Sequence, residues 1–118
     1  MKNIAPQIVR QRLLIEANFT ISVTKEEVRN YLLSVAKELD LRAYGEPIIH
    51  SPEGQGKEEN QGYDAFIPLI DSGISLYIWT NEKFMSCVLY TCKEFSVEKA
   101  VEFTKNFFQT TELEYQEF

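Results

Sequence analysis

The 118-residue chain holds one histidine, His50, and two cysteines, Cys87 and Cys92. With a single histidine, no Ser-His or Cys-His nucleophilic site with a spare imidazole can be built. Cys87 and Cys92 lie five apart in what reads as one strand. They therefore point to opposite faces and are not expected to pair. There is no C-x-x-C spacing and no Cys/His cluster, which argues against a zinc site. Positive charge is also scarce. Twelve Lys and Arg against eighteen Asp and Glu leave a net charge of −6, and the basic residues form no cluster. Nucleic-acid phosphates need a basic face, so that function class is set aside. An acidic surface is compatible with a cationic small molecule, but solubility alone is the favoured account of it.

Long apolar runs are missing too; none approaches the ~20 residues of a membrane helix. The opening segment, MKNIAPQIVRQR, lacks the apolar stretch of a secretory signal. The expectation is one domain over residues 1–118, without a membrane partner and in the cytoplasm. Hydrophobic residues at 44% and charged residues at 25% are an ordinary globular balance, enough to build a core without staples.

What is present is clear periodicity. Residues 12–20 alternate, with Leu13, Ile15, Ala17 and Phe19 on one side and Leu14, Glu16 and Asn18 on the other, which predicts a strand. Thr24 with Glu27 three residues on is a capping box. Behind it Val28, Tyr31, Leu32, Val35, Ala36 and Leu39 recur at helical spacing, predicting a helix over about 25–40. Residues 42–50 read as a second strand, with Pro47 suggesting an edge or a bulge. The polar, Gly-rich stretch 51–62 reads as a long loop. Its Gly-Gln-Gly is no phosphate loop, because no helix follows it. Strands follow at 63–70, 74–80 and 84–92 with short connections, as in an antiparallel meander. Ser96 is a candidate cap for a second helix whose apolar face holds Val97, Ala100, Val101, Thr104, Phe107 and Phe108. The tail ELEYQEF adds a last short strand.

The order β-α-β-β-β-β-α-β predicts an α/β protein of the α+β two-layer type. Two helices cover one face of an antiparallel sheet. Along 84–92 both faces are apolar, Phe84, Val88 and Tyr90 on one and Met85, Cys87 and Leu89 on the other. A homodimer joined sheet to sheet would cover the second face.

Candidate chemistry centres on Asp71-Ser72-Gly73. Residue types alone make this a turn, and Cys92 a small packed residue at a strand end. The longer stretch DSGISLYIWTNEKFMSCVLYTC, residues 71–92, resembles the core of the bacterial and archaeal S-adenosylmethionine decarboxylases. That family carries Glu-Ser-His-Leu-Ser/Thr-Ile-His-Thr-Trp-Pro-Glu and then Thr-Cys. Ser72, Ile74, Ser75, Leu76, Trp79, Thr91 and Cys92 fall in register without a gap. Leu13-Leu14-Ile15-Glu16 resembles the family's first strand, and Val97–Phe108 lies where its last helix does, with 51–62 as an insertion.

The resemblance implies a dimeric sandwich acting on S-adenosylmethionine, or on another amino acid, in spermidine synthesis. It implies that Ser72 attacks the Asp71 carbonyl, that the chain splits between Asp71 and Ser72, and that a pyruvoyl group forms at Ser72. That ketone would condense with the substrate's amino group and take up the electrons left by the departing carboxylate. Cys92 would reprotonate the substrate carbon, and Glu16 would lie near the substrate; as an alternating strand residue, Glu16 is equally a plain outward polar group.

The match also has departures. The family's second histidine is Tyr77, its first is Gly73, its Pro-Glu is Thr80-Asn81, and a processing serine eight residues before the reactive one is Asp64. A phenol, with a pKa of ~10, donates to an oxyanion but is a poor base at neutral pH. Asp64 is a substitute base or a solvated strand-end carboxylate. Trp79 packs the core or flanks a ligand, core packing being favoured. His50 reads as a partly exposed loop residue. Two functions follow. One is a divergent pyruvoyl decarboxylase, with Asp64 or Tyr77 assisting its processing. The other is an uncleaved, inactive homologue that binds a ligand or pairs with an active partner.

Overall fold

The computed structural model describes residues 1–52 and 61–118. The loop predicted at 51–62 thus lies largely outside the described residues. Eight elements follow in the predicted order: β1 Gln11–Asn18, α1 Lys25–Glu38, β2 Ile48–His50, β3 Gly62–Leu69, β4 Ser72–Trp79, β5 Phe84–Thr91, α2 Val97–Phe108 and β6 Glu112–Glu117. The strands form one six-stranded sheet in the order β2-β3-β4-β5-β1-β6. Every pairing is antiparallel.

Local chemistry sets the helix ends. The Thr24 N–H donates to Glu27 Oε1 at 3.3 Å, the reciprocal half of the capping box. Past α1, Asp40 turns left-handed (φ 59). Its N–H donates to Lys37 O, and that of Leu41 donates to Ala36 O. These two bonds close a Schellman motif. Ser96 Oγ accepts from the Lys99 N–H at 3.1 Å and caps α2.

Both helices lie on the face formed by Leu13, Ile15, Ile67, Ile74, Leu76, Met85, Cys87 and Leu89, all inaccessible to solvent. Between helices and sheet, Tyr31 packs with ring centroids 5.4 Å from Phe107 and 4.8 Å from Phe108. Its hydroxyl lies 2.8 Å from Thr104 Oγ1 and donates to Cys87 Sγ at 3.7 Å. A buried phenol needs such partners.

The second strand is shorter than 42–50. Only Ile48–His50 pairs continuously with β3, while Ala43 makes an isolated bridge to Leu69. Pro47 has no N–H to offer a ladder, so pairing lapses before it resumes. As its proline suggests, β2 is an edge strand.

Candidate functional site

The β3–β4 hairpin turns on Ile70 and Asp71, and Ser72 already pairs with Leu69 as the first residue of β4. The turn therefore lies one residue earlier than Asp71-Ser72-Gly73, because Asp71 tolerates the left-handed backbone (φ 59) that closes it. The exit of β5 is tied to this corner, since the Cys92 N–H donates to the Asp71 carbonyl at 3.1 Å. Ser72 stands on the helix side of β4, and its Oγ is buried without a hydrogen-bond partner. A hydroxyl stripped of water and left unpaired costs ~1–3 kcal/mol, and such a group in a native fold calls for an explanation. Here the unpaired oxygen adjoins a carbonyl already polarised by a backbone N–H, the pair of groups an acyl shift requires.

Ser72 also lines a concavity of about 360 Å³ with Phe66, Gly73, Ser75, Val88 and Tyr90. Phe66 occupies the space where a side chain on residue 73 would stand. A Cβ there would meet its Cε1 and Cζ at 2.7 Å. The ring and the missing side chain account for each other. The two thiols differ sharply. Cys92 is exposed, whereas Cys87 is buried and pushed up to about 12, chiefly by loss of solvent.

Among the described residues, the other face of the sheet carries no helix. Strand register sets one residue from every strand in a single row across it: His50, Asp64, Tyr77, Ser86, Glu16 and Glu114. Each is polar. The neighbouring residues two positions away are largely apolar, Ile48, Phe66, Val88 and Leu14 on one side and Trp79 and Phe84 on the other. Within the row Ser86 Oγ donates to Glu16 Oε2 at 2.9 Å. Glu16 thus faces outward as alternation predicts, and it is tethered.

Trp79 is not beneath the helices. It lies half-buried on this open face, its ring centroid 5.2 Å from that of Phe84. Tyr77 is 39% exposed, and Asp64 is exposed beside it in mid-strand rather than at a strand end.

A family model described as S-adenosylmethionine decarboxylase matches residues 14–118. The chain belongs to this family. The crystal structure of the adenosylmethionine decarboxylase from Aquifex aeolicus VF5 shares the fold, with a TM-score of 0.76 at 15% identity. That likeness covers 94% of this chain and 89% of the other. No curated protein matches the chain in sequence. The S-adenosylmethionine decarboxylase family is pyruvoyl-dependent, takes S-adenosylmethionine as its substrate and serves polyamine synthesis. Among the described residues no helix is long and apolar enough to cross a membrane.

The six residues singled out from the sequence thus fall into two groups. Asp71, Ser72 and Cys92 meet at one end of the β3–β4 hairpin. Asp64, Tyr77 and Glu16 share the polar row, five residues away along the strands, or ~17 Å. His50, read as a loop residue, is the last residue of β2 and sits directly opposite Asp64. Nothing in the linear sequence marks that position, because the loop before β3 hides the register.

Proposed function

We propose that the chain is a self-processing, pyruvoyl-dependent decarboxylase of polyamine synthesis that cleaves itself between Asp71 and Ser72. The observation that carries this is the buried, unpartnered Ser72 Oγ beside the Asp71 carbonyl held by the Cys92 N–H. Ser72 Oγ attacks the Asp71 carbonyl carbon, and negative charge gathers on an oxygen that already accepts a hydrogen bond. A preset donor of this kind lowers the barrier without reorganisation. Collapse expels the Ser72 nitrogen and leaves an ester. Loss of the Ser72 α-proton then breaks its Cβ–O bond and frees the Asp71 carboxylate. Water enters and ammonia leaves as the new N-terminus becomes a ketone. The pyruvoyl group so formed supplies an electron sink for decarboxylation. Exposed Cys92, next to that corner, is the proton donor to the substrate carbon, and Glu16 borders the substrate.

The processing positions Asp64 and Tyr77 stand ~17 Å from Ser72 within one chain. A two-fold copy laid on the open face would bring the polar row of one protomer toward the Ser72 end of the other. Strands of three to eight residues, rising ~3.3 Å per residue and ~4.8 Å apart, give a face of roughly 650 Å². A standard interface takes about 800 Å² per partner. Exposed Ile48, Phe66 and Tyr90 supply apolar area on that face. The working unit is therefore a homodimer, four layers deep.

Intact mass tests the reading. Processing yields residues 1–71 and 72–118, whose masses sum to that of the chain plus water less ammonia. Ser72→Ala abolishes the split. A single 13.7 kDa species after long incubation overturns the reading. That outcome favours the uncleaved, ligand-binding or regulatory homologue, for which the phenol of Tyr77 in place of an imidazole already speaks.

A further inference from the structure

Attack by Ser72 needs its hydroxyl oriented while the bond from Oγ to the Asp71 carbonyl carbon forms. On the helix side of the sheet Ser72 has two directly opposed neighbours, Leu69 on β3 and Thr91 on β5. Leu69 offers only carbon, and so does Ile74 two residues along the same strand. Thr91 carries a hydroxyl, and it is inaccessible to solvent. The adjoining pair, Asp71 and Cys92, is hydrogen-bonded, from the Cys92 N–H to Asp71 O. Ser72 and Thr91 therefore form a non-hydrogen-bonded pair, the kind whose side chains approach closest. Their Cβ atoms stand ~5 Å apart on one face. Thr91 Oγ1 donates to Lys93 O at 2.6 Å, with Gln11 O at 3.4 Å as a weaker second acceptor. Both contacts use its single proton, and a hydroxyl keeps two lone pairs with which to accept. Donating to a carbonyl also makes that oxygen a better acceptor.

We infer that Thr91 is the positioning residue for processing, accepting the hydrogen bond of the Ser72 hydroxyl as it attacks the Asp71 carbonyl. The inference rests on the self-processing proposed above, and it draws every group from one chain. At rest Ser72 Oγ has no partner. As Oγ closes on the carbonyl carbon, its O–H turns to Thr91 Oγ1, whose own O–H stays on Lys93 O. The new hydrogen bond belongs to the transition state, so it lowers the barrier without stabilising the resting serine. The Oγ–C bond forms, the bond from the Asp71 carbon to the Ser72 nitrogen breaks, and the hydroxyl proton ends on that departing nitrogen. Thr91 is chemically unchanged at the end of the step.

The test follows chain cleavage by intact mass, separately from decarboxylation. Thr91→Val keeps the side chain's shape without the hydroxyl and cleaves about 10²-fold more slowly than the unmodified chain, the usual loss for a misplaced reacting group. Thr91→Ser keeps the hydroxyl, gives up a buried methyl group, and cleaves within a few-fold of the unmodified rate. A merely structural threonine would not separate the two in that order. Hydroxylamine intercepts the ester at Asp71 and so bypasses every later step; with it added, Thr91→Val still cleaves slowly. Circular dichroism verifies that both variants fold, and if the valine chain does not, Thr91→Ala against Thr91→Ser makes the same comparison. Cleavage of Thr91→Val at the unmodified rate overturns the inference and leaves self-processing intact. So does an equal loss in Thr91→Ser, or full recovery of Thr91→Val in hydroxylamine. An unmodified chain that never cleaves overturns both.

Discussion

If the Ser72 hydroxyl is held ready for attack, it should cost the uncleaved fold stability. Its Oγ is buried and makes no hydrogen bond. Folding strips that group of water without compensation, at ~1–3 kcal/mol. Ser72→Ala removes the oxygen and leaves a methyl group, losing only a few dispersion contacts. The expected gain is about 1 kcal/mol, or roughly 3–5 °C in Tm for a chain of this size. Ser86→Ala is the matched control. It deletes the same atom on the adjacent strand and five residues along, where Ser86 Oγ donates to Glu16 Oε2 at 2.9 Å. That variant loses about 1 kcal/mol, the worth of a partly exposed bond to a charged acceptor. Urea unfolding monitored by circular dichroism, on chains verified as uncleaved by mass before and after, measures both. The slope should be the same for all three proteins. A Ser72→Ala chain destabilised by 1 kcal/mol or more refutes the reasoning, because the hydroxyl would then have a partner worth more than its burial.

Three further outcomes follow from the structure. Gly73→Ala puts a methyl group 2.7 Å from the Phe66 ring, so it destabilises by about 1 kcal/mol in the unmodified chain and by clearly less in a Phe66→Ala background. A double-mutant cycle in urea checks this, and zero coupling refutes it. Only one thiol, Cys92, reacts with a thiol reagent in the folded chain at pH 8, and Cys87 reacts on unfolding. Burial raises Cys87 from 9.0 to about 12, favouring its neutral form in the folded state. Its contribution is therefore complete below pH ~9 and falls as pH rises toward 12, with a slope approaching ~1.4 kcal/mol per pH unit. Tyr31, also raised by burial, steepens that loss. Cys87→Ala flattens the alkaline decline in unfolding free energy, and an unchanged slope counts against the assignment.

Much of the architecture is written in short-range patterns. The Thr24–Glu27 capping box, the Ser96 cap, the helical stripe behind each and the alternation of Leu13, Ile15 and Ala17 all act within a few residues. Where Gly45, Glu46 and Pro47 interrupt the ladder, the composition hinted at an edge, but the length of β2 depended on which carbonyls β3 offered. Trp79 was misread as core because both faces of β4 and β5 are apolar, and alternation alone does not say which face receives the helices. Family likeness at residues 71–92 pointed to Ser72, Cys92, Tyr77 and Asp64, and the fold then divided them between two ends of a hairpin.

By itself the amino-acid order determined the helices, most of the strands and the serine with its following cysteine, because those signals are local or contiguous. Only the tertiary structure decided that the Ser72 oxygen is isolated, that Phe66 fills the room left at Gly73, and that His50 stands beside Asp64 and Tyr77. Each of these depends on register between strands that are distant in sequence. A one-residue slip would turn every side chain to the opposite face.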